Sequence, residues 1–508
     1  MDLATALSWT AERYPARRAV GGPAPMTYAQ WDAHTNRLAR AMAELGVRRG
    51  DRVVFSLAGG EPLASLHLAA QKLGATSVPL STRFGPDELA YCLSDASPAL
   101  LVSDESTRDR LPSDVPCRHR DVAEVAELAR PQVEAPPPER PDETDISVML
   151  YTSGTTGRPK GVPRSHRAEH TAAVAHLVQT QHRPGEVTLG VMPMFHTMGL
   201  RSLLASIVAA GTWVPQARFD AAESLDLIRS EGVGALYLVP TIYWALLHTG
   251  ELGRATSVRR LAYAGAPMVP ALAERLVDEL HPEAFVNHFG STEIYTFTIG
   301  PDGAAKPGCA GRAGVFSRVR LVSPETGASP DDVVAHGEQG QVVVSMESPE
   351  AFAGYWHRPD ADAKAIRDGW YFTGDLAVED EDGDLWVSGR VDDMINSGGE
   401  NIYPDEIEAA LARCPAVDDI CVVGLPDERW GSAVTAFIVP VAGLDPDDAV
   451  AQVTAYARDG SGLPSLKRPK RVIAVPEIPK SAVGKILRRT LVAGDYKPLA
   501  ERGGEAHG

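Results

Sequence analysis

From Thr27 to Leu80 the hydrophobic period switches back and forth between helical and strand-like, and this alternation constrains the fold more than any other feature of the chain. The stretch TYAQWDAHTNRLARAMAELGV carries apolar residues at helical spacing, and DRVVFSL then reads as a short β-run. A further helix near Leu63 to Leu73 leads into the strand-like TSVPL. Repeated β/α alternation of this kind predicts parallel sheets covered by helices, because each sheet face must bury its apolar side chains against another layer.

The length of 508 residues exceeds what one hydrophobic core supports, so at least two domains are expected. PQVEAPPPERPDET, residues 131 to 144, is rich in proline and acid and reads as an exposed connector. Turn formers and charges gather again in GRVDDMINSGGENIYP, residues 389 to 404, which places a domain hinge there. Beyond it EIEAALAR reads as helix, DDICVVGL and AVTAFIVPV as strands, and DAVAQVTAYAR as helix. The expected fold class is therefore α/β, a large N-terminal domain of helix-covered sheets over residues 1–391 joined to a small α+β domain over 392–508. There is no internal repeat.

With 44% hydrophobic and 23% charged residues, the chain has the composition of a folded enzyme and not of a disordered one. Its formal charge of −18 repels polyanions, so nucleic acid and anionic membrane are not expected as partners, and any anionic ligand must be held locally. The five cysteines form no CxxC pair, and their number is odd; reduced thiols in a cytoplasmic protein are the simplest reading. No signal-like segment opens the chain. The longest uncharged stretch, Ser202 to Ala217, includes Gly211, Pro215 and Gln216 and falls short of a membrane span, so it reads as a buried helix passing into a strand.

The segment YTSGTTGRPKG, residues 151 to 161, combines glycines and hydroxyls with the cation Lys160. Glycines at Gly154 and Gly157 let backbone N–H groups approach phosphate oxygens; Thr152, Ser153, Thr155 and Thr156 add donors, and Lys160 neutralises charge. A Walker A loop is excluded, because Pro159 separates Gly157 from Lys160 and no Ser or Thr follows the lysine. A Ser/Thr/Gly cluster by itself is equally compatible with a flexible surface loop. The full string resembles the signature loop of the acyl-adenylate-forming superfamily, which comprises acyl-CoA synthetases, stand-alone adenylation domains and luciferases.

Four later stretches match that family in order. PMFHTMGL resembles the segment whose histidine, here His196, borders the carboxylate pocket; alone, a histidine beside Phe195 and Met194 reads as a core residue. NHFGSTE resembles the adenine and magnesium motif, which gives Phe289 and Gly290 to the adenosine and Thr292 and Glu293 to the phosphates, with Glu293 as the Mg²⁺ ligand. Phe289 stands where the family usually has Tyr, so stacking is kept and one hydroxyl is lost. YFTGDLA and the Gly389-Arg390 pair resemble the ribose-holding elements, with Asp375 accepting from the hydroxyls and Arg390 supporting the same sugar. PKSAVGKILRR resembles the motif whose lysine, here Lys485, bridges the attacking carboxylate and the α-phosphate.

The resemblance implies a two-step reaction, in which acid and Mg·ATP give acyl-AMP and pyrophosphate and a thiol then displaces AMP. It also implies that the small domain rotates between steps about Asp392, bringing Gly398 and Gly399 to line a pantetheine tunnel. DERWG and LKRPKR resemble the aryl-CoA ligase branch, halobenzoate:CoA ligases in particular, and there Trp430, Arg468 and Lys470 meet the nucleotide end of CoA. By position in the matched stretches, Thr197, Met198, Ala264, His288, Gly290, Tyr295 and Thr296 join His196 in lining the acyl pocket. His288 replaces an apolar residue of the halobenzoate branch, which points to an aromatic or alicyclic acid with polar substituents. The expected cofactors and substrates are thus ATP, Mg²⁺, CoA and a small carboxylic acid, handled by a monomer or homodimer. Loading of a carrier protein, a luciferase-like monooxygenase, and a nucleotide-binding protein with one half-reaction remain as alternatives.

Overall fold

The computed structural model describes residues 1–153, 158–397, 400–427, 430–480 and 486–503. The chain divides into two compact units, one formed by Met1–Val319 and Val344–Phe372, the other by Arg320–Val343 and Thr373–Gly508.

The first unit opens as the periodicity predicts. Helix α1 (Tyr28–Glu44) starts at a capping box between Thr27 and Gln30, buries Trp31, Leu38 and Met42, and packs on helix α2 (Glu61–Lys72), where the Trp31 indole donates to Ser65 Oγ at 2.8 Å. Strands β1 (Arg52–Ser56), β2 (Thr76–Pro79), β3 (Leu100–Ser103) and β4 (Ile146–Ser153) run parallel in the order β3-β1-β2-β4 within a six-stranded sheet. Strand β5 (Pro159–Ser165) departs from the expected parallel pattern and returns antiparallel beside β4, since a connection of a few residues reverses the chain and cannot make a parallel crossover. The proline-rich connector before β4 forms no helix or strand.

Helix α3 (His166–Gln179) leads to a nine-stranded sheet. Its centre is parallel: β6 (Val187–Gly190), β7 (Thr212–Pro215), β8 (Ala235–Leu238), β9 (Arg260–Ala264) and β10 (Ala284–Phe289), with Leu236, Leu261 and Val286 in the core. Strand β11 (Thr298–Gly300) pairs antiparallel with β10. The uncharged stretch from Ser202 falls on helix α4 (Thr197–Val208) and β7, as expected. Among the described residues no helix is long and apolar enough to cross a membrane, and all five cysteines are free.

In the second unit, β12 (Trp370–Glu379), which belongs to it from Thr373 on, pairs antiparallel with β13 (Leu385–Arg390). The segment read from sequence as turn formers also holds a short antiparallel pair, β14 (Ile395–Ser397) and β15 (Glu400–Ile402). Helix α5 (Pro404–Leu411), strands β16 (Val417–Asp427) and β17 (Gly431–Pro440) and helix α6 (Pro446–Asp459) follow where the sequence placed them. Strands β18 (Arg471–Ala474) and β19 (Ala500–Gly503) complete a four-stranded sheet in the order β16-β17-β18-β19. Helix α7 (Arg488–Val492) packs on β16.

Candidate active site

Strand pairing places Thr152 of β4 opposite Lys160 of β5, so the two sides of the glycine-rich loop meet at its base. Gly154, Thr155, Thr156 and Gly157 lie outside the described residues, as does the side chain of Ser153. Lys160 Nζ stands 4.0 Å from the centroid of the Tyr355 ring, and the Tyr355 hydroxyl donates to Glu293 Oε1 at 2.6 Å. The lysine of one motif and the glutamate of another are therefore joined through a tyrosine that neither motif contains. Burial lowers the Lys160 ammonium from its ordinary pKa, and the Glu293 carboxylate opposes that shift.

Glu293 lies within a tight turn just after β10, in which the Ser291 N–H donates to the Ile294 carbonyl at 2.9 Å. Gly290 is required in that turn, because a Cβ there would lie 2.2 Å from the Tyr295 carbonyl oxygen. Phe289 closes β10 with its ring edge-to-face on Phe297, centroids 5.2 Å apart. Thr292 and Glu293 are held from behind by Arg164, whose Nη1 donates to the Glu293 carbonyl at 3.1 Å and the Thr292 carbonyl at 3.3 Å. The same guanidinium donates to the Glu350 carbonyl at 2.8 Å and is ion-paired with Glu169 through Nε.

Of the residues read as acyl pocket, His288, Tyr295 and Thr296 are almost wholly buried, Met198 lies in the core, and Gly290 is exposed. Ala264 stands opposite His288 in the β9–β10 register. His196 caps α4, with Thr197 as the first helical residue, and its ring packs against Phe195; burial holds the imidazole pKa down to about 4, so the ring is neutral. The Tyr295 hydroxyl is committed to Glu169 at 3.2 Å, and its ring lies 3.6 Å from the Arg164 guanidinium carbon and 5.1 Å from that of Arg201. Arg201 Nη1 lies 3.1 Å from His288 Nδ1.

In the second unit, Asp375 and Arg390 are cross-strand partners, and Arg390 Nη1 donates to Asp375 Oδ1 at 2.5 Å. The aspartate is further fixed by its own N–H on Thr373 Oγ1 at 2.9 Å. Asp392 is exposed in a 3₁₀ turn over Val391–Asp393. Trp430 and Lys470 come together, the ammonium 5.2 Å from the indole, and Arg468 Nε donates to the Leu463 carbonyl at 3.0 Å. Gly398, Gly399 and Lys485 lie outside the described residues.

A family model described as "AMP-binding enzyme" matches residues 7–356, and its companion, "AMP-binding enzyme C-terminal domain", matches 406–485. The chain belongs to the AMP-binding enzyme family. This AMP-binding enzyme is 33% identical over 503 residues to a 4-chlorobenzoate–CoA ligase of an Arthrobacter species, covering 96% of this chain and 94% of the relative. It is also 33% identical over 481 residues to a long-chain-fatty-acid–CoA ligase of Mycobacterium tuberculosis, with 92% of each chain covered. Its fold matches ATP-bound MatB from Rhodopseudomonas palustris with a TM-score of 0.87 at 29% identity, over 97% of this chain and 99% of that one. The expected α/β architecture, a large domain followed by a small one, is that of its structural relatives.

Sequence reading of this AMP-binding enzyme missed Tyr355, Arg164, Arg201 and Glu350. Arg164 had one local signal: it shares a strand face with Lys160, four residues earlier on β5. Tyr355 had none, being 62 residues from Glu293 in the chain.

Proposed function

We infer that this AMP-binding enzyme is an AMP-forming acid–thiol ligase, converting a carboxylic acid, ATP and CoA into acyl-CoA, AMP and pyrophosphate through an acyl-adenylate. The observation that carries the reading is the Lys160–Tyr355–Glu293 contact, which fixes a cation and a carboxylate at the base of a glycine- and hydroxyl-rich loop. Opposite charges held at that spacing suit a triphosphate, with Lys160 on its oxygens. Thr292 and Glu293 offer hard oxygen donors of the kind Mg²⁺ takes, and the ion would neutralise phosphate charge there. Asp375, braced by Arg390, accepts from the ribose hydroxyls, and the Phe289 ring packs on adenine.

Lys485 supplies the cation at the reacting carboxylate and α-phosphate, where negative charge concentrates in the transition state. The small domain turns at Asp392 between the half-reactions, and Gly398 and Gly399 then line the thiol's path. Trp430 and Lys470, already paired, meet the adenine and phosphates of CoA, and Arg468 adds charge beside them. The acid is aromatic or alicyclic. The likeness to a chlorobenzoate ligase supports this, and so does the cluster of rings around His288, with His176 and Tyr237 centroids at 5.1 and 5.2 Å. The protein acts in the cytoplasm as a monomer or homodimer.

A screen of aromatic, alicyclic and aliphatic acids with Mg·ATP and CoA, following pyrophosphate and acyl-CoA separately, tests the reading. Stoichiometric release of both with a ring-bearing acid is expected. Turnover of aliphatic acids alone would refute the acid class, and pyrophosphate without acyl-CoA would refute CoA as the thiol.

A further inference from the structure

His288 is 2% exposed, and the atom nearest its Nδ1 that can hydrogen-bond is Arg201 Nη1, at 3.1 Å. A guanidinium carries only N–H donors, so Nδ1 must be the acceptor and bears no proton. Burial and the Arg201 charge both hold the imidazole pKa well below its ordinary value, so the ring is neutral. A neutral imidazole with a bare Nδ1 carries its proton on Nε2. That Nε2 is buried and has no hydrogen-bond partner among the described residues. Buried donors in folded proteins are almost always met, and one left over is unfavourable until an acceptor reaches it.

The charges around this donor define what can meet it. Arg164 is ion-paired with Glu169, and Arg201 acts on the buried carboxyl of Glu350, which burial pushes up against the pull of both guanidinium groups and a hydrogen bond from Thr296. The two guanidinium groups thus already have two acidic side chains beside them. A further carboxylate on the ligand would have to be buried next to these acids, whereas a neutral oxygen would satisfy the donor without adding a charge.

We propose that the acid carries a neutral hydrogen-bond-accepting oxygen, such as a hydroxyl, alkoxy or carbonyl substituent, that His288 Nε2–H selects it, and that Arg201 is the positioning residue fixing the tautomer. The proposal rests on the reading of His288 as a wall of the acyl pocket in an acid–CoA ligase. It accounts for a basic ring placed on a buried strand position where an apolar side chain would pack without an unmet donor.

The test uses pairs of acids differing by one isosteric substituent, hydroxyl against methyl and methoxy against ethyl, at each ring position and along aliphatic chains. kcat/KM for pyrophosphate release is measured for the wild type, His288→Leu, His288→Gln and Arg201→Gln. The wild type should favour the oxygen member of at least one pair by about tenfold or more. His288→Leu should collapse that ratio, and His288→Gln, which keeps an N–H donor, should restore part of it. ¹⁵N NMR of the His288 ring should show the Nε2–H tautomer in the wild type. A mixture should appear in Arg201→Gln, because an amide can donate to or accept from Nδ1. Even ratios for every pair, a preference unchanged in His288→Leu, or a wild-type Nδ1–H tautomer would overturn the proposal. Pyrophosphate release with none of the acids would instead overturn the ligase reading on which it stands.

Discussion

The Tyr355 hydroxyl donates to the Glu293 carboxylate at 2.6 Å while the same ring lies under the Lys160 ammonium, so one side chain sets the spacing between these two charges. Tyr355→Phe keeps the ring under Lys160 and removes only the donor. A hydrogen bond to a charged group contributes about 1.5–3 kcal/mol, so kcat/KM for ATP in pyrophosphate release should fall by roughly ten- to a hundredfold. Steady-state kinetics at varied Mg·ATP measure this, and a loss smaller than twofold would show that Glu293 does not depend on Tyr355.

Arg164 is fully buried, with Glu169 as its ion partner and three backbone carbonyls as acceptors. Arg164→Met leaves the Glu169 carboxylate uncompensated and should destabilise the fold by about 3–5 kcal/mol in urea unfolding. The double variant Arg164→Met/Glu169→Leu should recover a large part of that loss, since the stranded charge is gone. Equal destabilisation of single and double variants would locate the cost in the lost carbonyl contacts.

The proposed role of Lys485 is tested by separating the half-reactions. In Lys485→Ala, pyrophosphate release should collapse while acyl-CoA formation from a supplied acyl-adenylate largely survives. Parallel loss of both steps, or of neither, would remove this lysine from the adenylation step.

Glu408 of α5 sits with Asp405 and Asp393 around the single guanidinium of Arg488, which donates to Glu408 Oε2 at 2.8 Å. Burial, reinforced by Asp405, raises the Glu408 carboxyl from 4.5 to about 7 against the pull of Arg488. A folded-state pKa above the unfolded value means that the native protein binds the extra proton. The stability contributed by that proton is complete below about pH 4.5 and is lost as pH rises through about 7. Urea midpoints should therefore carry a component that declines from pH 5 to 8, and Glu408→Gln should flatten it. A wild-type slope retained in Glu408→Gln would assign the titration to Asp405.

Much of the architecture was legible in the residues because it rests on local rules. The capping pair Thr27–Gln30 starts α1 where the helical period starts, and the apolar runs of β1, β2, β16 and β17 fall where they were read. The antiparallel edges were less visible, since periodicity reports burial and not strand direction. Asp375 and Arg390 were read as holding the same ribose; their direct cross-strand pairing follows from register, which no motif encodes.

By itself the sequence determined the class of chemistry through resemblance, because a glycine-rich loop, a Thr-Glu turn and a lysine motif match those of the acyl-adenylate-forming family in the same order. The tertiary structure alone decided what those groups lean on. Tyr355 reaches Glu293, Arg164 reaches the turn at Thr292, and Arg201 reaches the His288 ring across separations of 62, 128 and 87 residues. Such partners are chosen by packing, since a buried charge or donor must find its complement wherever the folded chain brings one, however far away it lies in sequence.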